Sequence, residues 1–481
     1  MNGTTELDVF KNYCNTIDGK LRNTSAKRHG INPATGEALA DVPVATKDDV
    51  DDSVEAARRA FKTWSKLPYE ERKAAVESFA SAIEQLGDSL TRLLTIEQGK
   101  PLVVARSELR AGVDRMRSAA KIHIVDEVVW EDERKQCILR YVPLGVCVGI
   151  VPWNFPVSLA CQKIAPALMA GNTMIVKPSP FTPYCTLKIG ELAQRFFPPG
   201  VLQVLSGDDQ LGPWLTEHHG VDKISFTGST ATGKAIMRSA SGTLKRVTLE
   251  LGGNDASIVC PSVDIKEVAP KIATFSFVNS GQVCLAIKRV YVHESIYDEF
   301  LEAIVAYTKT LRSGDGLTEG VFVGPLQNDM QFQKAQGFLS NIQKDNLHVV
   351  TGDPTAVEKA GYFIKPTIVD RPYESSQIVQ EEPFAPILPI LSWTDEAEVI
   401  GRANNSKMGL GASVWTRDLE QADRIAGQLE AGSVWINSHM ELNPMAPFGG
   451  HKQSGIGYEM GTQGLKLYCN TKTIFRPKSQ P

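Results

Sequence analysis

A chain of 481 residues, 42% hydrophobic and 22% charged, has an ordinary soluble globular composition and the length of about three domains. Its 51 basic and 55 acidic residues leave a net charge of −4, which argues against nucleic acid as a partner. The most apolar stretch, residues 142–151, is too short to span a bilayer, and the polar, acidic start has no leader pattern, so no membrane association is expected.

Eight cysteines without a CxxC pair or a Cys/His cluster give neither a disulfide framework nor a metal site, and point to a reduced, cytoplasmic compartment. Along the chain, amphipathic helices alternate with short Val- and Ile-rich runs, the pattern of an α/β protein. Val50, Val54, Ala57 and Phe61 recur at helical spacing after Thr46, with Asp48, Asp49, Asp51 and Asp52 at the positive end of the helix. A second helical tract covers 69–98, broken at Gly87 and closed near Gly99 and Pro101. Residues 127–141 read as two short strands about Glu131-Asp132-Glu133-Arg134. Strands are expected at 146–151, 173–176, 201–205, 223–226 and 247–249, with a helix over 186–196 and a last strand within 467–475. Strands outside the main sheet order are candidates for pairing between subunits.

Gly228-Ser229-Thr230-Ala231-Thr232-Gly233-Lys234 imitates a phosphate-binding loop, but Ala235 stands where magnesium coordination needs a hydroxyl. What survives is a Gly-rich turn entering a helix, suited to a dinucleotide pyrophosphate or to a plain strand-to-helix turn. Four further segments stand out. Pro152-Trp153-Asn154-Phe155-Pro156 emerges at a strand's C-terminal end, where open α/β sheets bind ligands. Leu249-Glu250-Leu251-Gly252-Gly253 sets one carboxylate in apolar surroundings, where desolvation raises its pKa toward general-base duty. Asn279-Ser280-Gly281-Gln282-Val283-Cys284 puts a thiol after a Gly-bearing turn. Glu381-Glu382-Pro383-Phe384-Ala385-Pro386 joins acids and an aromatic in a Pro-fixed loop. Each has a bland alternative: a core thiol, a Glu250 ion pair with Lys245 or Arg246, an Asn turn cap, a solvated acid.

These segments, with Lys177-Pro178-Ser179, Phe226-Thr227-Gly228-Ser229 and Pro447-Phe448-Gly449-Gly450, occur in an order and spacing that resembles the NAD(P)-dependent aldehyde dehydrogenases over residues 32–474. Cys284 lies 34 residues after Glu250, as in that family. The resemblance implies oxidation of a small-molecule aldehyde to a carboxylic acid, with Cys284 as nucleophile, Asn154 stabilising the oxyanion and Glu250 activating the hydrolytic water. It implies a cofactor site of Val151, Pro152, Trp153, Lys177, Ser179, Gly228, Ser229, Gly233, Leu251, Glu382 and Phe384. The substrate tunnel would comprise Phe155, Leu159, Gln162, Val283, Leu285 and Phe448, with Gln162, a Trp in several relatives, making it wider or more polar.

The implied fold is α/β: a Rossmann-like NAD(P)-binding domain (1–123 and 144–252), an α/β catalytic domain (253–453) and a small β oligomerisation flap (124–143 and 454–481) of a homodimer or homotetramer. NAD is the expected cofactor, with NADP open because Pro180 replaces a ribose-binding Glu common in the family. Ser438-His439-Met440-Glu441-Leu442 matches the loop at the tunnel mouth, with His439 expected at the surface. Glu250 argues against acyl transfer to coenzyme A, which needs no hydrolytic base. The cofactor motifs argue against a cofactor-free thiol hydrolase. Intact Cys284, Glu250 and Asn154 argue against a silent scaffold.

Overall fold

The computed structural model describes residues 7–352 and 361–478. Helix and strand alternate as expected and resolve into two large sheets, a three-stranded one and two two-stranded ladders. In the first sheet five parallel strands, Leu202–Val204, Thr173–Lys177, Val146–Ile150, Lys223–Thr227 and Arg246–Glu250, lie side by side in that order. The chain therefore builds outward from Val146–Ile150 in one direction, then crosses over and builds in the other. Side chains alternate between two cores: Cys147, Met174 and Val176 pack on one face, and Val146, Val148, Ile150 and Ile175 on the other. A parallel sheet covered on both faces needs apolar residues at every position, hence the unbroken Val and Ile runs. Antiparallel strands close the edges, with Asn15–Ile17 beside Leu202–Val204 and Gly455–Ile456 beside Arg246–Glu250. The strand order reverses between Val146–Ile150 and Lys223–Thr227, and the loops beginning at Val151 and Gly228 leave the sheet there, the place where such sheets hold ligands.

The second sheet runs Thr367–Asp370, Ile387–Trp393, Ile287–His293, Asp255–Val259, Gly411–Trp415 and Ser433–Ile436, all parallel. His348–Thr351 adds an antiparallel edge. The third sheet pairs Lys135–Pro143 with Glu127–Glu131 on one side and Cys469–Pro477 on the other. Its strand Glu127–Glu131 is exposed along its whole length.

Helix Lys47–Trp64 begins with a reciprocal cap: Thr46 Oγ1 accepts from the Asp49 N–H at 3.1 Å, and the Asp49 carboxylate accepts from the Thr46 N–H at 2.9 Å. Its expected apolar face is buried at Val50, Val54 and Ala57 and half-buried at Phe61. The tract after it splits into Tyr69–Gln85 and Gly87–Gln98 and ends on Gly99 at φ +91°, a left-handed stop. The helix expected over 186–196 spans Tyr184–Ala193. Among the helices that carry no sequence expectation are Leu102–Ala120 and Pro156–Met169, which pack on each other. Every residue of the second is buried, so no polar face marks its period. No helix among the described residues is long and apolar enough to cross a membrane.

Candidate active site

Helix Ile265–Phe277 ends in a loop in which Asn279, Ser280 and Gly281 take φ of +52°, +58° and +71° in succession. Two non-glycine residues in that region are costly, and surrounding contacts hold them there. Ser280 Oγ donates to the Gly324 carbonyl at 2.7 Å, and Gln282 Nε2 donates to the Asn279 carbonyl at 2.9 Å. A Cβ on Gly281 would fall 2.3 Å from the Ala385 carbonyl oxygen. Lys288 Nζ then gathers the Val283 and Cys284 carbonyls at 2.8 and 2.7 Å and pairs with Glu382 at 3.2 Å. The loop thereby presents Cys284, which is partly exposed, to two cavities of about 340 and 330 Å3.

Asn154 borders both cavities as well. Its Nδ2 donates to the Gln282 carbonyl at 3.0 Å, which uses one of two amide protons. Its own carbonyl accepts from Lys100 Nζ at 2.7 Å. Lys100 pairs with the buried Glu108, whose carboxylate also takes the Val157 and Ser158 N–H groups at 2.8 and 3.2 Å. A carboxylate at a helix N-terminus is favourable, so this ion pair anchors both the Asn154 loop and the helix after it. Lys100 and Glu108 were not foreseen.

Glu250 ends its strand buried, with Thr227 Oγ1 donating to its carboxylate at 3.1 Å. Burial raises its pKa, and the nearby buried Lys163–Glu459 pair (2.9 Å) adds opposing pulls, Lys163 downward and Glu459 upward. Neither basic neighbour in sequence pairs with it: Lys245 bonds Thr243, and Arg246 reaches Asn470. Glu250 and Cys284 line the same 330 Å3 cavity. Burial, and next the Glu250 charge, push the Cys284 thiol pKa well above its ordinary value. Phe155, Leu159, Gln162, Val283, Leu285 and Phe448 form much of that cavity's wall.

On the other side of Cys284, Pro152, Trp153, Gly228, Ser229, Leu251, Glu382 and Phe384 line the 340 Å3 cavity. Trp153 and Phe384 meet edge to face at 5.4 Å. The Glu382 carboxylate lies over Gly252, where a Cβ would come within 2.4 Å of it. Through Pro152, Trp153, Gly228 and Ser229 this cavity continues into a cleft of about 520 Å3, which also holds Val151, Lys177 and Ser179. Ser229 caps helix Thr230–Ser241, accepting from the Thr232 N–H at 3.2 Å. Gly233 lets Leu251 approach, since a Cβ would sit 2.7 Å from its Cδ2. The cleft, the two cavities and Cys284 thus form one continuous path.

The aldehyde dehydrogenase family profile matches residues 21–474 of the chain. The chain belongs to the aldehyde dehydrogenase family. It is 43% identical over 467 residues to a putative aldehyde dehydrogenase, FUS7, of Gibberella fujikuroi, covering 97% of this chain and 99% of that one. It is 37% identical over 457 residues to the phenylacetaldehyde dehydrogenase of Pseudomonas fluorescens, covering 92% and 91%. The NAD+ complex of a Bacillus cereus aldehyde dehydrogenase superposes with a TM-score of 0.95 at 34% identity, over 98% of each chain. The architecture is therefore the aldehyde dehydrogenase fold, and the enzyme is an oxidoreductase acting on aldehydes with NAD(P).

Among family-matched positions, His439 is a correction. Expected at the surface, it is fully buried, its ring 4.7 Å from that of Trp435 and its Nε2 2.9 Å from the Leu285 carbonyl. Burial drives its pKa down to about 3, so it is a neutral prop behind the tunnel wall. Sequence reasoning also passed over Arg115 in the tunnel and Asp208, Asp209 and Met330 in the cleft. Isolated charges on helices and loops look like solvated surface, and only the fold shows which of them border a cavity.

Proposed function

We propose that Cys284, Asn154 and Glu250 carry NAD-dependent oxidation of an aldehyde to a carboxylic acid. The observation behind this is their convergence: Cys284 and Asn154 border both cavities, and Glu250 reaches the thiol from the tunnel side. The thiol proton passes to Glu250, whose raised pKa suits it to hold one. Cys284 Sγ attacks the aldehyde carbonyl, and the spare Asn154 amide proton with the Cys284 N–H meets the oxyanion. NAD, bound in the cleft, supplies the hydride acceptor. The acyl group is then a thioester on Cys284, and Glu250, having released the thiol proton to solvent, takes a proton from the water that hydrolyses it. The experiment is a rapid-mixing assay of reduced nicotinamide with aldehyde, in which Cys284→Ala gives no signal and Glu250→Gln slows the first turnover and slows the steady state more.

The cleft's chemistry suits a dinucleotide. Lys177 Nζ is buried and spends one hydrogen bond, 3.3 Å to the Pro178 carbonyl, leaving donors for ribose hydroxyls. The helix N-terminus behind Gly228 and Ser229 favours a pyrophosphate, with Gly233 and Leu251 setting its distance. Val151, Pro152, Trp153 and Ser179 shape the walls, and Glu382 with Phe384 would hold the nicotinamide ribose and ring. Asp208, Asp209 and Glu217 line the Lys177 end, so a 2′-phosphate would meet like charge and NAD is favoured over NADP despite Pro180.

The same reading divides the chain into a cofactor-binding part (1–123 and 144–252), a catalytic part (253–453) and a flap (124–143 and 454–481) that joins cytoplasmic homodimers or homotetramers. Exposed Val128, Val129 and Trp130 on the flap support subunit contact there.

A further inference from the structure

Two helices unforeseen in the sequence, Leu102–Ala120 and Pro156–Met169, form one wall of the tunnel, and of the polar residues they bring to it, Asp114, Arg115, Ser158 and Gln162, two carry unpartnered donors. These are Arg115 and Gln162, which also share a small recess behind the tunnel. Arg115 Nη1 and Gln162 Nε2 are both buried and have no hydrogen-bond partner, and Gln162 is 3% exposed. Buried donors without partners are rare because each forfeits its bond to water, and here both belong to side chains that line the space a substrate must cross. Leu159, Val283 and Phe448 add apolar surface to the same cavity.

We infer that the tunnel is built for aldehydes that carry a carboxylate at the far end, held by the Arg115 guanidinium and the Gln162 amide. The inference rests on the aldehyde reading above. A guanidinium fork matches a carboxylate and is strongest when water is excluded. Gln162 lies seven residues beyond Phe155 along one helix, roughly 10 Å of rise, which leaves room for a spacer of several carbons. Oxidation of such a substrate consumes water and NAD+ and yields a dicarboxylic acid, NADH and a proton.

The test compares kcat/KM of the NAD-loaded enzyme for 6-oxohexanoate, 8-oxooctanoate and 10-oxodecanoate with that for their methyl esters. The wild type is expected to favour the best acid over its ester by about tenfold or more, the worth of one charge-assisted contact. Arg115→Met should bring that ratio toward one, Arg115→Lys should keep part of it, and Gln162→Leu should reduce it less, by about threefold. A wild-type ratio at or below one overturns the inference without any variant. So does an Arg115→Met variant that slows acids and esters equally, which would place Arg115 with Glu250 instead. Esters turned over while acids are ignored would sink this inference alone; no turnover of any aldehyde would sink the aldehyde reading and this inference with it.

Discussion

Burial and the Glu250 charge keep the Cys284 thiol protonated at rest, whereas attack on a carbonyl needs the thiolate. The conflict resolves when Glu250 takes the proton, so the carboxylate must be ionised first. Its pKa is raised by burial, and the base form is lost as pH falls through that raised value. The acid limb of kcat is therefore expected above the usual carboxylate range, and Glu250→Gln should flatten it while slowing turnover about 10²–10⁴-fold. Asn154→Ala removes an oxyanion donor and should cost about 10²–10³ in kcat, read in the same assay. In the cleft, Asp208→Asn with Asp209→Asn should move the NAD/NADP ratio of kcat/KM toward NADP by roughly tenfold, one like-charge contact. An unmoved ratio would show that neither acid faces the adenosine end. Cys284, Asn154 and Glu250 were legible in the sequence because their motifs have fixed spacing. Lys100, Glu108, Lys288 and Arg115 were not, since a buried charge is indistinguishable from a surface one until its partner is known.

The Asn279–Gly281 turn stores strain in order to aim a side chain. Gly281→Ala adds a Cβ against the Ala385 carbonyl at φ +71° and is expected to cost about 1–3 kcal/mol, measured as a shift in denaturant midpoint. The Lys163–Glu459 pair ties helix Pro156–Met169 to the C-terminal segment, and Lys163→Met leaves Glu459 buried and unpaired. A loss of about 3–5 kcal/mol is expected from the same titration. Element legibility followed surface exposure. Helix Lys47–Trp64 has a wet face and a dry one, and its period is plain. Helix Pro156–Met169 is dry all round, and nothing in its composition separates it from a buried strand. The five parallel strands of the first sheet were legible as Val and Ile runs, its short edge strands were not, and the order was not either, because order depends on crossovers that leave no local trace.

At the scale of the molecule, the third sheet is too small to bury itself. Val128, Val129, Trp130 and Phe475 are each half or more exposed, the apolar surface on which the proposed subunit contact rests. Val129→Lys combined with Trp130→Ser is expected to lower the mass seen by light scattering to that of one chain, with helix content unchanged. Unchanged mass would move the subunit contact to another face.

The chain's last described segment finishes structures begun long before it. Gly455 pairs with Glu250, Glu459 neutralises Lys163, and the Tyr468 carbonyl accepts from Asn172, while Cys469–Pro477 completes the flap. On the ribosome, where synthesis runs from the N-terminus, the first sheet's edge stays open and Lys163 stays unanswered until this tail emerges. A message cut short before residue 455 would thus yield a chain with its nucleophile and base in place but its fold unsealed, a product open to proteolysis.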